Sequence, residues 1–148
     1  MPKIGSIGYW YKGDYQIPLL VMEELRKENI DVIDFSLGAI KASTFLSELD
    51  IDNLILLASE KRGKQELRIY KPEFEDSVFS DFLDVYSNLK AYYMDVDSFL
   101  RMARVLGALP SNLTVIECEV INEEGEISEW GKICKEMMKK EVLKRIRK

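Results

Sequence analysis

Histidine is absent from the chain. Without an imidazole there is no Ser-His-Asp or Cys-His nucleophile system and no His-ligated zinc or haem site. Cysteine is scarce. Cys118 and Cys134 are too few for a secreted disulfide scaffold and do not form a metal-binding spacing. They are expected to be two buried thiols in a cytoplasmic protein. No run approaches the roughly 18–20 apolar residues of a membrane span, and the opening Met1-Pro2-Lys3-Ile4-Gly5 lacks the cleavage-type small-residue site of a signal peptide. Repeats, low-complexity stretches and linkers are missing too. Any chemistry must use carboxylates, lysines, tyrosines or the backbone.

What is present describes a packed globule. With 148 residues, 47% of them apolar and 32% charged, the chain can bury a core without disulfides or metals. Residues 1–148 are expected to form a single domain. Charge is unevenly divided. Residues 128–148 carry eight Lys and Arg against three acids, so the net of +5 there leaves −10 for the rest. Those cations cluster toward the C-terminal end of a predicted helix, where they complement its dipole. The acidic body would repel phosphates, so neither nucleic acid nor membrane is an expected partner.

Strand and helix patterns alternate along the chain. Lys3 to Tyr9 reads as a strand. Asp14 is a plausible N-cap for a helix running from Ile17 to Leu25, with Pro18 in its first turn and Asn29 closing it. A second strand spans Asp31 to Phe35, and Ile40, Ala42, Phe45, Leu46 and Leu49 repeat at helical spacing. Asn53 to Ala58 is a continuous apolar run, the mark of a strand buried on both faces of a parallel sheet. Glu66 to Tyr70 alternates as a half-buried edge strand. Two amphipathic helices follow, one marked by Val78, Phe79, Phe82, Tyr86 and Leu89, the other running from Val96 to Leu106. Leu113 to Val120 is the last strand. Ser128 caps a final helix whose apolar face is Trp130, Ile133, Cys134, Met137 and Met138. The expected fold is a three-layer α/β/α domain with a mostly parallel central sheet.

In such sheets ligands bind beyond the carboxyl ends of the strands. That places candidate pocket residues at Tyr9, Trp10, Asp14 and Tyr15 after the first strand, at Ser36–Ala39 after the second, and at Ser59 and Glu60 after the third. Tyr92, ahead of the Val96 helix, is a further contributor. The first loop stands out because four aromatics in seven residues (Tyr9, Trp10, Tyr11, Tyr15) exceed what a connection needs. They suit an aromatic-lined pocket or a protein-binding knob, or rings that cover the sheet end. Gly5 and Gly8 lack the third glycine and the immediate helix of a nucleotide-binding turn. Glu73, Glu75, Asp76, Glu123 and Glu124 are read as solvated surface.

In its order of elements and loop sites the chain resembles the hydrogenase maturation endopeptidases, nickel-dependent proteases that clip the C-terminal tail of nickel-iron hydrogenase large subunits. Their first motif runs Gly-Asn, four residues, then Asp and a second acid. Here it reads Gly8-Tyr9, Trp10 to Gly13, then Asp14-Tyr15, with Pro18 where a later glycine falls. Asp34 and the turn to Ala39 resemble the family's Asp-Gly-Gly-Thr-Ala-Gly stretch, and Asn53–Ala58 its third strand. Leu106-Gly107-Ala108-Leu109-Pro110, Leu113-Thr114-Val115 and Glu126-Ile127-Ser128 resemble later landmarks.

The resemblance implies the fold, and it implies where a nickel ion would be held. The family uses the acid after the motif Asp, an Asp ending strand three, and a His before the long helix. By spacing those positions are Tyr15, Ala58 and approximately Tyr92. Alanine offers no ligand, and a phenol ionises only near pH 10. No metal, cofactor or catalytic residue is therefore expected. The expected function is a divergent, non-catalytic relative that binds a protein segment or small ligand at the strand ends. Two alternatives stay open: an enzyme of unrelated chemistry built on Asp14, Glu60, Lys12 or the tyrosines, and a tail protease with a displaced metal site. A homodimer through the Trp130 and methionine strip is a further partner expectation, against which the strip also reads as core.

Overall fold

A computed structural model describes residues 2–74 and 95–147. The elements are β1 (Lys3–Ser6), α1 (Ile17–Lys27), β2 (Ile33–Asp34), α2 (Ala39–Leu49), β3 (Asn53–Glu60), β4 (Leu67–Tyr70), α3 (Val96–Val105), β5 (Asn112–Glu119) and α4 (Glu129–Ile146). The five strands form one sheet in the order β2-β1-β3-β5-β4. β2, β1, β3 and β5 are parallel, and β4 alone runs antiparallel, against β5. The helical pattern at Val78–Leu89 lies outside the described residues.

The sheet is covered on both faces, as its apolar central strands require. On one face Ile4, Ile55, Leu57 and Ile116 pack with Val21, Met22 and Leu25 of α1 and with Met138 and Val142 of α4. On the other, Leu54, Leu56, Ala58 and Val115 meet Ala42 and Leu46 of α2 and Phe99, Leu100 and Ala103 of α3. Phe35, at the end of β2, stacks on Phe99 with ring centroids 5.6 Å apart. Its ring lies so close over Gly5 that a Cβ there would come within 2.7 Å of Phe35 Cδ2. The three-layer α/β/α architecture with a mostly parallel sheet is as expected from the sequence.

Three local expectations are corrected. Asp14 does not cap α1. A 3-10 turn over Gly13–Gln16 comes first, and Gln16 occupies the N-cap without a side-chain bond. Ile133 is 58% exposed rather than part of the apolar face of α4. Finally, Cys118 and Cys134 are buried but are not free thiols, because they form a disulfide joining β5 to α4. Burial of both on facing elements, 6.1 Å between Cα atoms, made the bond sterically available. A closed loop of this length stabilises a fold by roughly 3 kcal/mol.

Two lysines of the basic final helix are paired within the fold. Lys135 pairs with Glu24 at 3.1 Å, and Lys139 with Glu24 at 3.4 Å and Glu28 at 2.9 Å, so its cations face the acids of α1. Trp130 is partly buried against the core and donates its indole N–H to the Glu119 carbonyl at 2.9 Å. No helix among the described residues is long and apolar enough to cross a membrane.

Candidate functional site at the strand ends

β1 lies between β2 and β3, so the chain leaves β1 first toward one side and later returns on the other. The connections from the carboxyl ends of β1 and β3 diverge there, which is where open α/β sheets form a crevice. The β1 connection is held from several sides. Ile7 donates its N–H to the Leu57 carbonyl at 3.0 Å, Gly8 donates to Ser36 Oγ at 2.9 Å, and Tyr9 donates to the Tyr15 carbonyl at 3.0 Å. The Tyr9 and Tyr15 rings meet edge to face at 6.4 Å, half-buried. Trp10 and Tyr11 point outward, Tyr11 being 81% exposed with φ +67°. The left-handed region costs a bulky residue of the order of 1 kcal/mol or more. Here it is held by a ladder to the β5–α4 loop.

That ladder is dense. Gly125 donates to the Tyr11 carbonyl at 3.0 Å, Gly13 to the Gly125 carbonyl at 3.1 Å, and Asp14 to the Asn122 carbonyl at 2.8 Å. Lys12 pairs with Glu124 at 2.8 Å. The Asp14 carboxylate, fully buried, completes the tie. Oδ2 accepts the N–H of Ile121 at 2.8 Å and of Asn122 at 3.0 Å, together with the Ser128 hydroxyl at 2.8 Å, and Oδ1 accepts the Ser128 N–H at 2.8 Å. Gly131 makes room for it, since a Cβ there would overlap Asp14 Oδ1. Asp14 is a spent carboxylate with no oxygen to offer a substrate.

The other sequence-selected residues lie at the end of β3. Ser59 is 6% exposed, points to the α1/α4 face opposite Cys118, and its Oγ has no hydrogen-bond partner among the described residues. Glu60 points to the α2/α3 face and accepts the Val96 N–H at 2.7 Å, at the N-terminus of α3. Burial pushes its carboxyl up to about 7, with Asp95 and Glu117 adding to the rise and the Val96 N–H and Arg62 opposing it. Tyr92 lies outside the described residues. Tyr9, Trp10, Asp14 and Tyr15 are thus gathered in one loop, while Ser59 and Glu60 face opposite sides of the sheet.

Sequence reasoning missed an ionic cluster beside Glu60. Glu117 is fully buried and bonds four times: to Arg62 Nε at 2.7 Å and Nη2 at 2.9 Å, to Arg68 Nε at 2.6 Å, and to the Tyr70 hydroxyl at 2.9 Å. Glu119 accepts the Arg62 N–H at 3.0 Å, the Gly63 N–H at 2.9 Å and Arg68 Nη1 at 2.7 Å. Arg62 also reaches Asp97 of α3 at 3.1 Å. Burial and the Glu117 charge raise the Tyr70 phenol, and hydrogen bonding to Glu117 raises the Arg62 guanidinium. The cluster folds the β3–β4 loop down onto β5 and ties it to α3. A signal existed: two acids two residues apart in the apolar run Leu113–Val120 demand buried cations.

Solved structures identify the architecture. The chain superposes on a hydrogenase 2 maturation peptidase from a Thaumarchaeota archaeon, with a TM-score of 0.62 and 19% identity over 99% of this chain and 98% of the other. It also superposes on an endopeptidase from Escherichia coli (TM-score 0.68, 15% identity, 98% and 92% covered). A NiFe hydrogenase maturation protease from Thermococcus kodakarensis gives 0.66 at 16% identity, with 99% and 93% covered. The chain has the hydrogenase maturation peptidase fold. No protein-family model and no curated protein sequence matches it.

The family resemblance implies a nickel site, and the described residues at its expected positions do not fit that ion. Tyr15 and Ala58 stand at two of the expected positions, and Ala58 is buried in the α2/α3 core. The oxygens of Asp14 are committed to four donors. Among the described residues no three His, Cys, Asp or Glu side chains are grouped to hold a metal. What remains chemically among the described residues is Glu60, whose carboxyl is raised to about 7, and two outward rings, Trp10 and Tyr11.

Proposed function

We propose that residues 1–148 act as one domain, a non-catalytic relative of the hydrogenase maturation peptidases that holds a protein segment at its strand ends. One observation carries this: Trp10 and Tyr11 are turned to solvent on a loop immobilised by Asp14, while the neighbouring ligand positions are tyrosine and alanine. Tryptophan and tyrosine are among the residues that dominate protein-binding hot spots. The Trp130 strip is spent on the core, so a homodimer is no part of the proposal. Placement in the cytoplasm is part of it, a compartment where a disulfide is usually transient and redox-sensing.

Calorimetric titration with nickel and with cadmium tests the loss of the metal site. No stoichiometric binding is expected, and tight one-to-one binding would overturn it. A peptide copying the C-terminal tail of a hydrogenase large subunit tests the surface by fluorescence anisotropy. Binding without cleavage is expected, weakened tenfold or more by Trp10→Ala or Tyr11→Ala; hydrolysis of the peptide would refute the proposal.

Glu60 supports a second function, an enzyme of unrelated chemistry. A carboxyl near 7 at a helix N-terminus is suited to proton transfer at neutral pH. An activity with an apparent pKa near that value, abolished by Glu60→Gln, would establish it. A tail protease with a displaced metal site would need two further ligands beside Glu60, and the described residues group none.

A further inference from the structure

The Cys118–Cys134 bond closes a ring of chain, 16 positions around, and that ring holds the groups that fasten the aromatic loop. Within it lie all four donors to Asp14: the N–H groups of Ile121, Asn122 and Ser128 and the Ser128 hydroxyl. Within it also lie Glu124, paired to Lys12, and Gly125, bonded to Tyr11 and Gly13. Gly131, whose missing side chain admits Asp14 Oδ1, is three positions before Cys134. Both cysteines sit in the apolar layer with Ile116, Leu57 and Met138, where reduced thiols would pack comparably. Losing the bond therefore falls on the ring, whose closure would then rest on the packing of β5 against α4 and on the Asp14 bonds alone.

We propose that the Cys118–Cys134 disulfide is a redox latch on the strand-end surface, fixing Tyr9–Gln16 against Ile121–Ser128 when oxidised and releasing the two segments together when reduced. The consequence for binding rests on the proposed function; the consequence for loop order does not. Reduction requires a dithiol. One of its thiolates attacks a cysteine Sγ, breaking the S–S bond, forming a mixed disulfide and releasing the other cysteine as a thiolate that takes a proton. The second thiol then closes the reductant's own disulfide and frees the remaining cysteine, so two electrons and two protons pass to the protein. Both sulfurs are fully buried, so the start of α4 must lift before attack, and reduction of the native protein is slow.

Three measurements test the latch. Alkylation in denaturant followed by mass measurement should find no free thiol in the chain purified under air; two free thiols would overturn the proposal. Hydrogen exchange should then compare the oxidised chain with the dithiothreitol-reduced chain and with a volume-preserving Cys118→Val/Cys134→Ala variant. Amides of residues 9–16 and 121–128 should open locally without the bond, exchanging on the order of tenfold faster than the β1 and β3 amides, which report only the global loss of stability. Equal exchange in both forms, or loop amides that follow the β1 and β3 amides in both forms, would overturn it. The tail peptide separates the two proposals. Local loosening with no peptide binding to either form upholds the latch and removes the binding function. Equal binding to both forms without loosening removes the latch alone.

Discussion

Asp14 and Ser128 are joined twice: the carboxylate accepts the Ser128 N–H at 2.8 Å on one oxygen and the Ser128 hydroxyl at 2.8 Å on the other. The same hydroxyl then accepts the Gly131 N–H at 2.9 Å and caps α4. A residue of the β1–α1 loop thereby sets the start of the last helix, 114 positions away in sequence. Asn in place of Asp14 keeps the shape but turns an amide donor against N–H groups that need an acceptor. Asp14→Asn should destabilise the fold by about 2–3 kcal/mol, measured as a lower urea midpoint at unchanged m-value.

Gly131 lies in the first turns of α4, where helix propensity alone predicts that alanine gains about 1 kcal/mol. The overlap of a Cβ with Asp14 Oδ1 opposes that gain, and overpacking at a buried site costs about 1–3 kcal/mol. Gly131→Ala should therefore lower the melting temperature, and a rise would show that the Asp14 tie is soft.

Glu117 and the Lys12–Glu124 pair should differ sharply. Removing the carboxylate by Glu117→Ala strands Arg62 and Arg68 over a buried site, a loss of about 3–5 kcal/mol. Lys12→Ala breaks an exposed pair and should change stability by less than about 1 kcal/mol. Denaturant melts of both variants make the comparison.

Glu60 gives the stability a particular pH dependence. Its carboxyl holds a proton up to about 7 when folded, against an ordinary 4.5 when unfolded. The unfolded chain loses that proton first, so this group's contribution is fully present below 4.5 and declines as pH rises to about 7. Glu60→Gln should flatten that decline. Glu119 acts in the opposite sense. Burial pushes its carboxyl up, but the Gly63 N–H and Arg68 outweigh burial and hold it below its ordinary value. Its contribution is present above 4.5 and is lost as pH falls through the lowered value. Thermal melts of wild type, Glu60→Gln and Glu119→Gln between about pH 3 and 8 separate the two.

The sequence by itself determined the layers of this fold. The apolar run at Asn53–Ala58 has to be buried on both faces, and Ser128 caps the helix that follows it, with a bond at 2.9 Å. These follow from periodicity and backbone hydrogen bonding, which are local. The missing histidine, and the tyrosine and alanine at the positions the resemblance assigns to metal ligands, were equally legible, because they are identities rather than distances.

Only the tertiary structure decided what the polar residues do. Asp14 is not the N-cap of α1 but a buried tie, because its four donors come from a loop more than a hundred residues away. Glu117 looked like one acid in a strand until β4 brought Arg68 beside it and the Gly63 turn brought Arg62. The two cysteines became a disulfide because β5 and α4 pack there. The charge or hydrogen bond of a buried polar group is settled by whichever partner the packed chain delivers, and sequence separation carries almost no information about that partner.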